Sequence, residues 1–312
     1  MKERPILKLG TRKSLLALTQ STWVKNRLEI LRPGITIELV KITTRGDKIL
    51  DVPLAMIGGK GLFVKEIEDA LLKKEIDLAV HSLKDVPTEL PEGLEVSIFP
   101  EREDARDAFI SRKGLPIDRL PPGARMGTSS LRRIAQLKAM RPDLEVVSLR
   151  GNLDTRLKKL YDKKFDAIIL AAAGLKRLGL EKNVTHYMQQ GVMVPAIGQG
   201  ALGIEFRSGD TELRGTLGLI HHENTATCVK AERAFLVKLG GGCQVPIGAF
   251  AELKGPDRMI LTGLVGNETG TRIIKMQKEA RRDLAEWLGG SLGEEMLAAG
   301  GSEILKEVYA KG

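Results

Sequence analysis

The sequence predicts an α/β protein that ends in a smaller α+β segment, and three observations predict it. Through the first two hundred or so residues, short apolar runs of strand length alternate with longer amphipathic runs of helical period. Two short stretches interrupt that alternation, PEREDAR at 100–106 and PAIGQG at 195–200, and both read as crossings between domains. Over roughly the last ninety residues the pattern changes to consecutive β-like runs bracketed by helices.

Taken in order, an apolar Ile6 to Leu9 is followed by a helix from Ser14 to Leu31, stopped by Pro33-Gly34, and by a β-rich Ile35 to Ile42. A glycine-rich loop, Thr43 to Gly61, precedes a helix from about Leu62 to Lys74 and a strand from Asp77 to His81, with another strand from Leu94 to Phe99. After the first crossing, strands are predicted at Ala108 to Ser111, Leu144 to Leu149 and Asp166 to Leu170, with helices after Ser129 and Leu153. Such alternation favours a mostly parallel sheet covered on both faces. The second crossing feeds the strand Ala201 to Phe206, so the chain leaves the first domain and returns to it. The last segment holds a helix to Leu239, β-like runs at Ile247 to Leu253, Met259 to Val265 and Arg272 to Met276, and helix from about Arg281. Three domains are expected: 1–100 with 201–218, then 106–194, then 223–312.

The chain has 312 residues, 42% of them hydrophobic, enough for several cores, since a single core rarely grows past roughly 250 to 300 residues. Its start, MKERPILKLG, lacks the apolar core of a signal peptide and no later run approaches a membrane span, so a cytoplasmic protein without a membrane partner is expected. Two cysteines give no disulfide framework. Cys228 reads as helix core. The formal charge of +9 points to an anionic partner, while 4% aromatic residues give no stacking platform, so nucleic acid is not expected. The His221-His222 pair has no second ligand pair at zinc-site spacing, and no metal is expected.

Several constellations can carry chemistry. Ala231 to Gly248 (AERAFLVKLGGGCQVPIG) ends a helix in three glycines and then presents Cys243. Glycine lets the helix stop and lets a bulky group approach the sulfur, as a covalent attachment point requires; the other reading is a small buried cysteine after a glycine cap. Gly127 to Arg133 (GTSSLRR) follows a strand and opens a helix, the place where free N–H groups, hydroxyls and guanidinium groups bind anions. Arg150 with Asn152 and Arg156, and Arg12 with Ser14, repeat the arrangement. Each arginine is alternatively solvated or salt-bridged, but all lie where open α/β sheets bind ligands. In HSLKDVP (81–87), Lys84 and Asp85 also follow a strand, and Asp85 reads either as a turn carboxylate or as one placed to stabilise a cation or move a proton. A lone GGKG at 58–61 is too weak for a nucleotide site.

Together HSLKDVP, GTSSLRR, SLRGN with TRL, AGLKRLGL, PAIGQG and the Glu232 to Gly248 block resemble the porphobilinogen deaminase (hydroxymethylbilane synthase) family of tetrapyrrole biosynthesis, over nearly the whole chain. The resemblance implies two α/β domains like those of type II periplasmic binding proteins around a cleft, plus a small α+β domain. It also implies a dipyrromethane cofactor on Cys243 through a thioether, and a transferase that joins four porphobilinogen molecules head to tail with loss of ammonia. Asp85 matches the catalytic acid. Lys84, Thr128, Ser129, Ser130, Arg132 and Arg133 are implied as cofactor-binding residues, and Arg12, Ser14, Arg150, Arg156 and Arg177 as substrate-binding ones. Met56 stands where many relatives carry lysine, while Lys60 remains. The rival is a non-catalytic, two-lobed binder of small anions, which needs no Cys243. A monomer is expected.

Overall fold

The computed structural model describes residues 6–48, 62–241 and 245–310. In chain order the elements are β1 (Ile6–Arg12), α1 (Leu15–Leu31), β2 (Thr36–Ile42), α2 (Arg45–Lys48), α3 (Lys65–Leu72), β3 (Leu78–Ser82) and β4 (Leu94–Ile98). Next come β5 (Asp107–Ser111), β6 (Arg125–Gly127), α4 (Leu131–Met140), β7 (Glu145–Val147), α5 (Leu153–Tyr161), β8 (Ala167–Ala171), α6 (Ala172–Arg177) and β9 (His186–Met188). The rest are β10 (Leu202–Arg207), α7 (Thr211–Leu217), α8 (Glu223–Lys238), β11 (Ile247–Lys254), β12 (Arg258–Gly266), β13 (Ile273–Arg281), α9 (Ala285–Met296) and α10 (Ser302–Tyr309).

The described residues divide into two compact units, one of 6–48, 62–103 and 201–226, the other of 104–200, 227–241 and 245–310. In the first, the strand order is β2-β1-β3-β10-β4, with β1 parallel to β2 and β3, and β10 antiparallel to both β3 and β4. The return of the chain expected after 195–200 is therefore seen as β10 inserted between β3 and β4. One face of this sheet is closed by α1 and α7, which pack Val24, Leu28, Leu213 and Leu217 on Leu9, Leu78, Ile204 and Phe206. The other is closed by α3, through Ile67 and Leu71 against Ile76 and Ala79. Each such aliphatic side chain, fully buried, contributes about 1.5 to 3 kcal/mol.

The second unit repeats the plan. Its five strands run β7-β6-β8-β5-β9, with β6 parallel to β7 and β8, and β5 antiparallel to β8 and β9. Both sheets are mostly parallel, as expected, but each holds one reversed strand, and that strand follows a crossing: β5 after 100–106, β10 after 195–200. Leu157, Leu160 and Leu175 cover one face and Leu137 of α4 the other.

The same unit contains the antiparallel sheet β11-β12-β13, whose core joins Phe235 of α8, Leu288 and Leu292 of α9, and Ile304 of α10 to Ala249, Met259 and Leu261. Cys228 is buried in it, as read from the sequence. Helix α8 ends in a Schellman turn: Gly240 adopts φ +61°, its N–H donates to Val237 O, and Gly241 N–H donates to Leu236 O. The strand expected at Arg272 to Met276 is seen as β13 but runs on to Arg281, because the exposed Lys275, Gln277 and Glu279 alternate with less exposed neighbours and the strand pairs with β12 over its whole length; the helix expected from about Arg281 begins just after it.

Candidate active site

In the first unit, β1 and β3 are neighbouring parallel strands, so their carboxyl ends present side chains to one place. Strand β1 ends in Arg12, and β3 ends in Ser82 before the single turn Leu83–Asp85. Ser14 caps α1, its hydroxyl accepting from the Ala17 N–H at 3.3 Å. A pocket forms there, with Arg12, Ser14, Gln20, Phe63, His81, Ser82 and Asp85 in its wall. The sequence-predicted Arg12, Ser14 and Asp85 are thus brought together. The Arg12 guanidinium lies 4.2 Å from the centre of the Phe63 ring, a cation–π contact that steadies it. Gln20 Nε2 donates to Ser82 Oγ at 2.9 Å. Lys84 and Asp85 are half-buried.

Beneath this pocket the walls are acidic. His81 Nε2 is 2.9 Å from Glu205 Oε2, and both side chains are buried. Glu68 of α3 is buried as well, and its carboxyl is pushed up to about 7 by loss of solvent and then by the charge of Glu205, with His81 opposing.

In the second unit, GTSSLRR does join β6 to α4. Thr128 is buried, its N–H donating to Val147 O at 3.0 Å and its hydroxyl accepting from Ser130 N–H at 3.2 Å. Ser129 is exposed and bonds Leu149 O at 2.9 Å. Arg132 and Arg133 are buried against Asp107, at 2.7 Å (Nη1 to Oδ2) and 2.6 Å (Nη2 to Oδ1). Arg132 also donates to Val194 O, Arg133 to Ile169 O, and Gln199 Nε2 donates to Asp107 Oδ1 at 3.0 Å. Burial alone would raise the Asp107 carboxyl, but the two guanidinium charges override it and hold it well below the usual carboxylate range. Of the two readings of these arginines, the salt-bridged one describes their present partners.

Three guanidinium nitrogens among the described residues nevertheless are buried without a hydrogen-bond partner: Arg112 Nε, and, at the strand-to-helix turns, Arg132 Nε and Arg150 Nη1. A buried, unpaired cationic donor is costly, and an acidic ligand is the group that would satisfy it. Arg156 Nε donates to Gly151 O at 2.8 Å, and Arg177 Nη2 to Gly200 O at 2.8 Å, next to the second crossing. Cys243, Met56, Lys60 and the GGKG run lie outside the described residues.

The sequence reading missed Asp107, Phe63 and the Glu68, His81 and Glu205 group. Phe63, one of few aromatics and close behind the glycine-rich loop, and His81, the first residue of HSLKDVP, were the ones with a local signal.

Two family models match the chain: "Porphobilinogen deaminase, dipyromethane cofactor binding domain" over residues 7–215 and "Porphobilinogen deaminase, C-terminal domain" over 226–298. A relative from Geobacter sulfurreducens named "Porphobilinogen deaminase" is 56% identical over 305 residues, 98% of this chain and 95% of its own length. Another of that name, from Syntrophobacter fumaroxidans, is 51% identical over 97% of this chain and 98% of its own. Among solved structures, the methionine binding protein MetQ is 14% identical with a TM-score of 0.44, covering 70% of this chain and 91% of that one. The strand orders described above, not that likeness, define the fold. With family models spanning most of its length and full-length relatives at more than half identity, the chain belongs to the porphobilinogen deaminase family.

Proposed function

We propose that this chain joins four porphobilinogen molecules head to tail into the linear tetrapyrrole hydroxymethylbilane, releasing one ammonia per unit, with Asp85 as the central catalytic group. The observation that carries the reading is the placement of Asp85 with Arg12 and Ser14 in one pocket at the carboxyl ends of β1 and β3. Loss of ammonia from the substrate's aminomethyl group leaves positive charge on the pyrrole, and a carboxylate beside the ring N–H stabilises it as it develops. The same carboxylate takes up the proton that the attacking carbon must lose. Arg12 and Ser14 in the same wall bind the substrate's acetate and propionate groups.

The dipyrromethane of this family fits the second unit, because Arg132 Nε and Arg150 Nη1 are buried donors that an acidic ligand would satisfy. Cys243 would carry it, with Lys84, Thr128, Ser129, Ser130, Arg132 and Arg133 holding its carboxylates, and Arg150, Arg156 and Arg177 serving the incoming or lengthening chain. When bound, the cofactor supplies the pyrrole carbon to which the first unit is joined. Each added ring brings two more carboxylates, each charge-assisted hydrogen bond contributing roughly 1.5 to 3 kcal/mol, which is why so many arginines are gathered.

We also propose three domains, 1–100 with 201–218, 106–194 and 223–312, a reading supported by three sheets with separate cores. We propose a monomer in the cytoplasm without a nucleic-acid partner; two cysteines support the reducing compartment and few aromatics the lack of a nucleic-acid partner. Among the described residues no helix is long and apolar enough to cross a membrane. The family matches do not favour the non-catalytic anion binder. Intact-mass measurement on purified protein beside Cys243→Ser tests the reading: the parent should carry an adduct of two linked pyrroles that the variant lacks. An unmodified parent with full turnover would defeat it.

A further inference from the structure

The reaction proposed above imposes a proton problem on the pocket. At each condensation the attacking pyrrole carbon loses its C–H proton, the C–H pair restores the aromatic ring, and the proton goes to Asp85. A protonated Asp85 cannot stabilise the next cation, so the proton must leave before the following unit reacts. Apart from Arg12, which stays charged, the only other titratable side chain among the described residues of the pocket wall is His81. Its Nε2 is committed to Glu205 at 2.9 Å, and its Nδ1 makes no hydrogen bond among the described residues. An imidazole whose Nε2–H donates to a carboxylate leaves Nδ1 as a base. Glu205 Oε1 and Glu68 Oε1 are buried oxygens without hydrogen-bond partners among the described residues. The deamination chemistry as assigned to Asp85 uses none of these three side chains, and two neighbouring buried carboxylates are an expensive arrangement to keep without a use.

We propose that His81, Glu205 and Glu68 form a proton relay that resets Asp85 between condensations. The Asp85 O–H bond breaks, directly or through one water, as His81 Nδ1–H forms, while Glu205 remains ionised and holds the imidazolium. The positive imidazolium then drives the Glu68 O–H bond to break, and that proton passes to solvent. Before the transfer the three groups are carboxylate, neutral imidazole and carboxylic acid; after it they are carboxylate, imidazolium and carboxylate. Their net charge is −1 in both states, so the proton moves on without loading the buried site with extra charge. Return of His81 to neutrality and of a proton to Glu68 restores the starting state. Glu68 holds its proton near neutrality for the reasons already given, burial and Glu205. The charged groups facing Glu68 are Glu205 on β10, His81 on β3, and Asp69 and Lys65 on its own helix; those sharing the pocket with His81 are Arg12 and Asp85.

Two side-chain replacements and two readouts test this. Glu68→Gln keeps the size but removes the releasable proton, and His81→Gln keeps a donor toward Glu205 but removes the base. In rapid-quench experiments both variants should lose steady-state kcat by roughly a hundredfold while the first condensation slows far less and KM holds. The limb of the kcat profile near pH 7 should disappear in both, and free imidazole should restore turnover to His81→Gly. Infrared difference spectra of the resting protein should show a protonated carboxyl band that titrates near pH 7 and vanishes in Glu68→Gln. Equal slowing of the first and later condensations, an unchanged pH profile, or absence of that band would overturn the relay. A parent that shows the band but consumes no porphobilinogen would instead overturn the reaction itself.

Discussion

Arg132 Nη1 stands 2.7 Å from Asp107 Oδ2 with both side chains buried, and Arg133 takes the other oxygen of the same carboxylate. One acid on the reversed strand β5 therefore positions the two arginines that open α4. Removing one member of a buried ion group leaves uncompensated charge, so Asp107→Ala should cost about 3 to 5 kcal/mol of stability, read by denaturant unfolding. A cost below about 1 kcal/mol would show that water or another acid replaces it.

The nearby Asp104 sets an acid limit. Burial would raise its carboxyl, but hydrogen bonds from Arg106 and Lys176 pull it down to about 2. Its folded value lies below the unfolded value near 3.9, so the stability it adds is complete above about pH 4 and drains away as the pH falls through 2. Asp104→Asn should flatten the acid limb of a melting temperature against pH curve, and an unaltered limb would assign acid unfolding to other carboxylates.

Glu68 acts with the opposite sign. Its folded value, about 7, exceeds the unfolded value near 4.5, so the folded state keeps a proton that the unfolded chain has released, and stability declines as the pH rises from 4.5 to 7. Glu68→Gln should remove that decline, gaining about 1 to 3 kcal/mol at pH 8 relative to pH 4. Thermal melts at the two pH values give the answer; parallel losses in variant and parent would refute it.

Asp85→Asn retains the shape of the pocket and abolishes the anion. Turnover of porphobilinogen should fall by about a hundred- to a thousandfold, with the melting temperature and the covalent adduct preserved. Product formation within a few fold of the parent would end the assignment of Asp85.

Helices α8 and α9 touch at a glycine. A Cβ on Gly289 would collide with Ala231 O and sit 2.8 Å from Phe235 N, both backbone atoms with no rotamer to yield. Gly289→Ala should destabilise the protein by about 1 to 3 kcal/mol, whereas Gly290→Ala, with nothing within 4 Å, should not. Equal effects would mean the helices separate freely.

The order of the longer strands and helices was legible because periods of 2 and 3.6 are local properties; the short β9, α6 and α7 were not, since so few residues carry no period. The pocket was partly legible for the same reason: Arg12 and Asp85 each follow a strand, and adjacent parallel strands must bring their ends together. What the local pattern could not show is pairing across the fold. His81 and Glu205 are 124 residues apart, and Asp107 meets Arg132 and Arg133 only because β5 runs backwards beside β8. The strand expected to stop at Met276 runs on to Arg281, because the ladder with β12 holds Lys278 and Glu279, residues with little strand preference of their own.

Among the described residues strand β4 joins its sheet through β10 alone, and about 100 residues separate the two in the chain. On a ribosome adding about 5 to 20 residues per second, β4 waits some 5 to 20 s for its partner to emerge. The part of the molecule that is synthesised first is therefore completed late, and a nascent chain halted before residue 202 leaves the β3 edge that β10 will cover open.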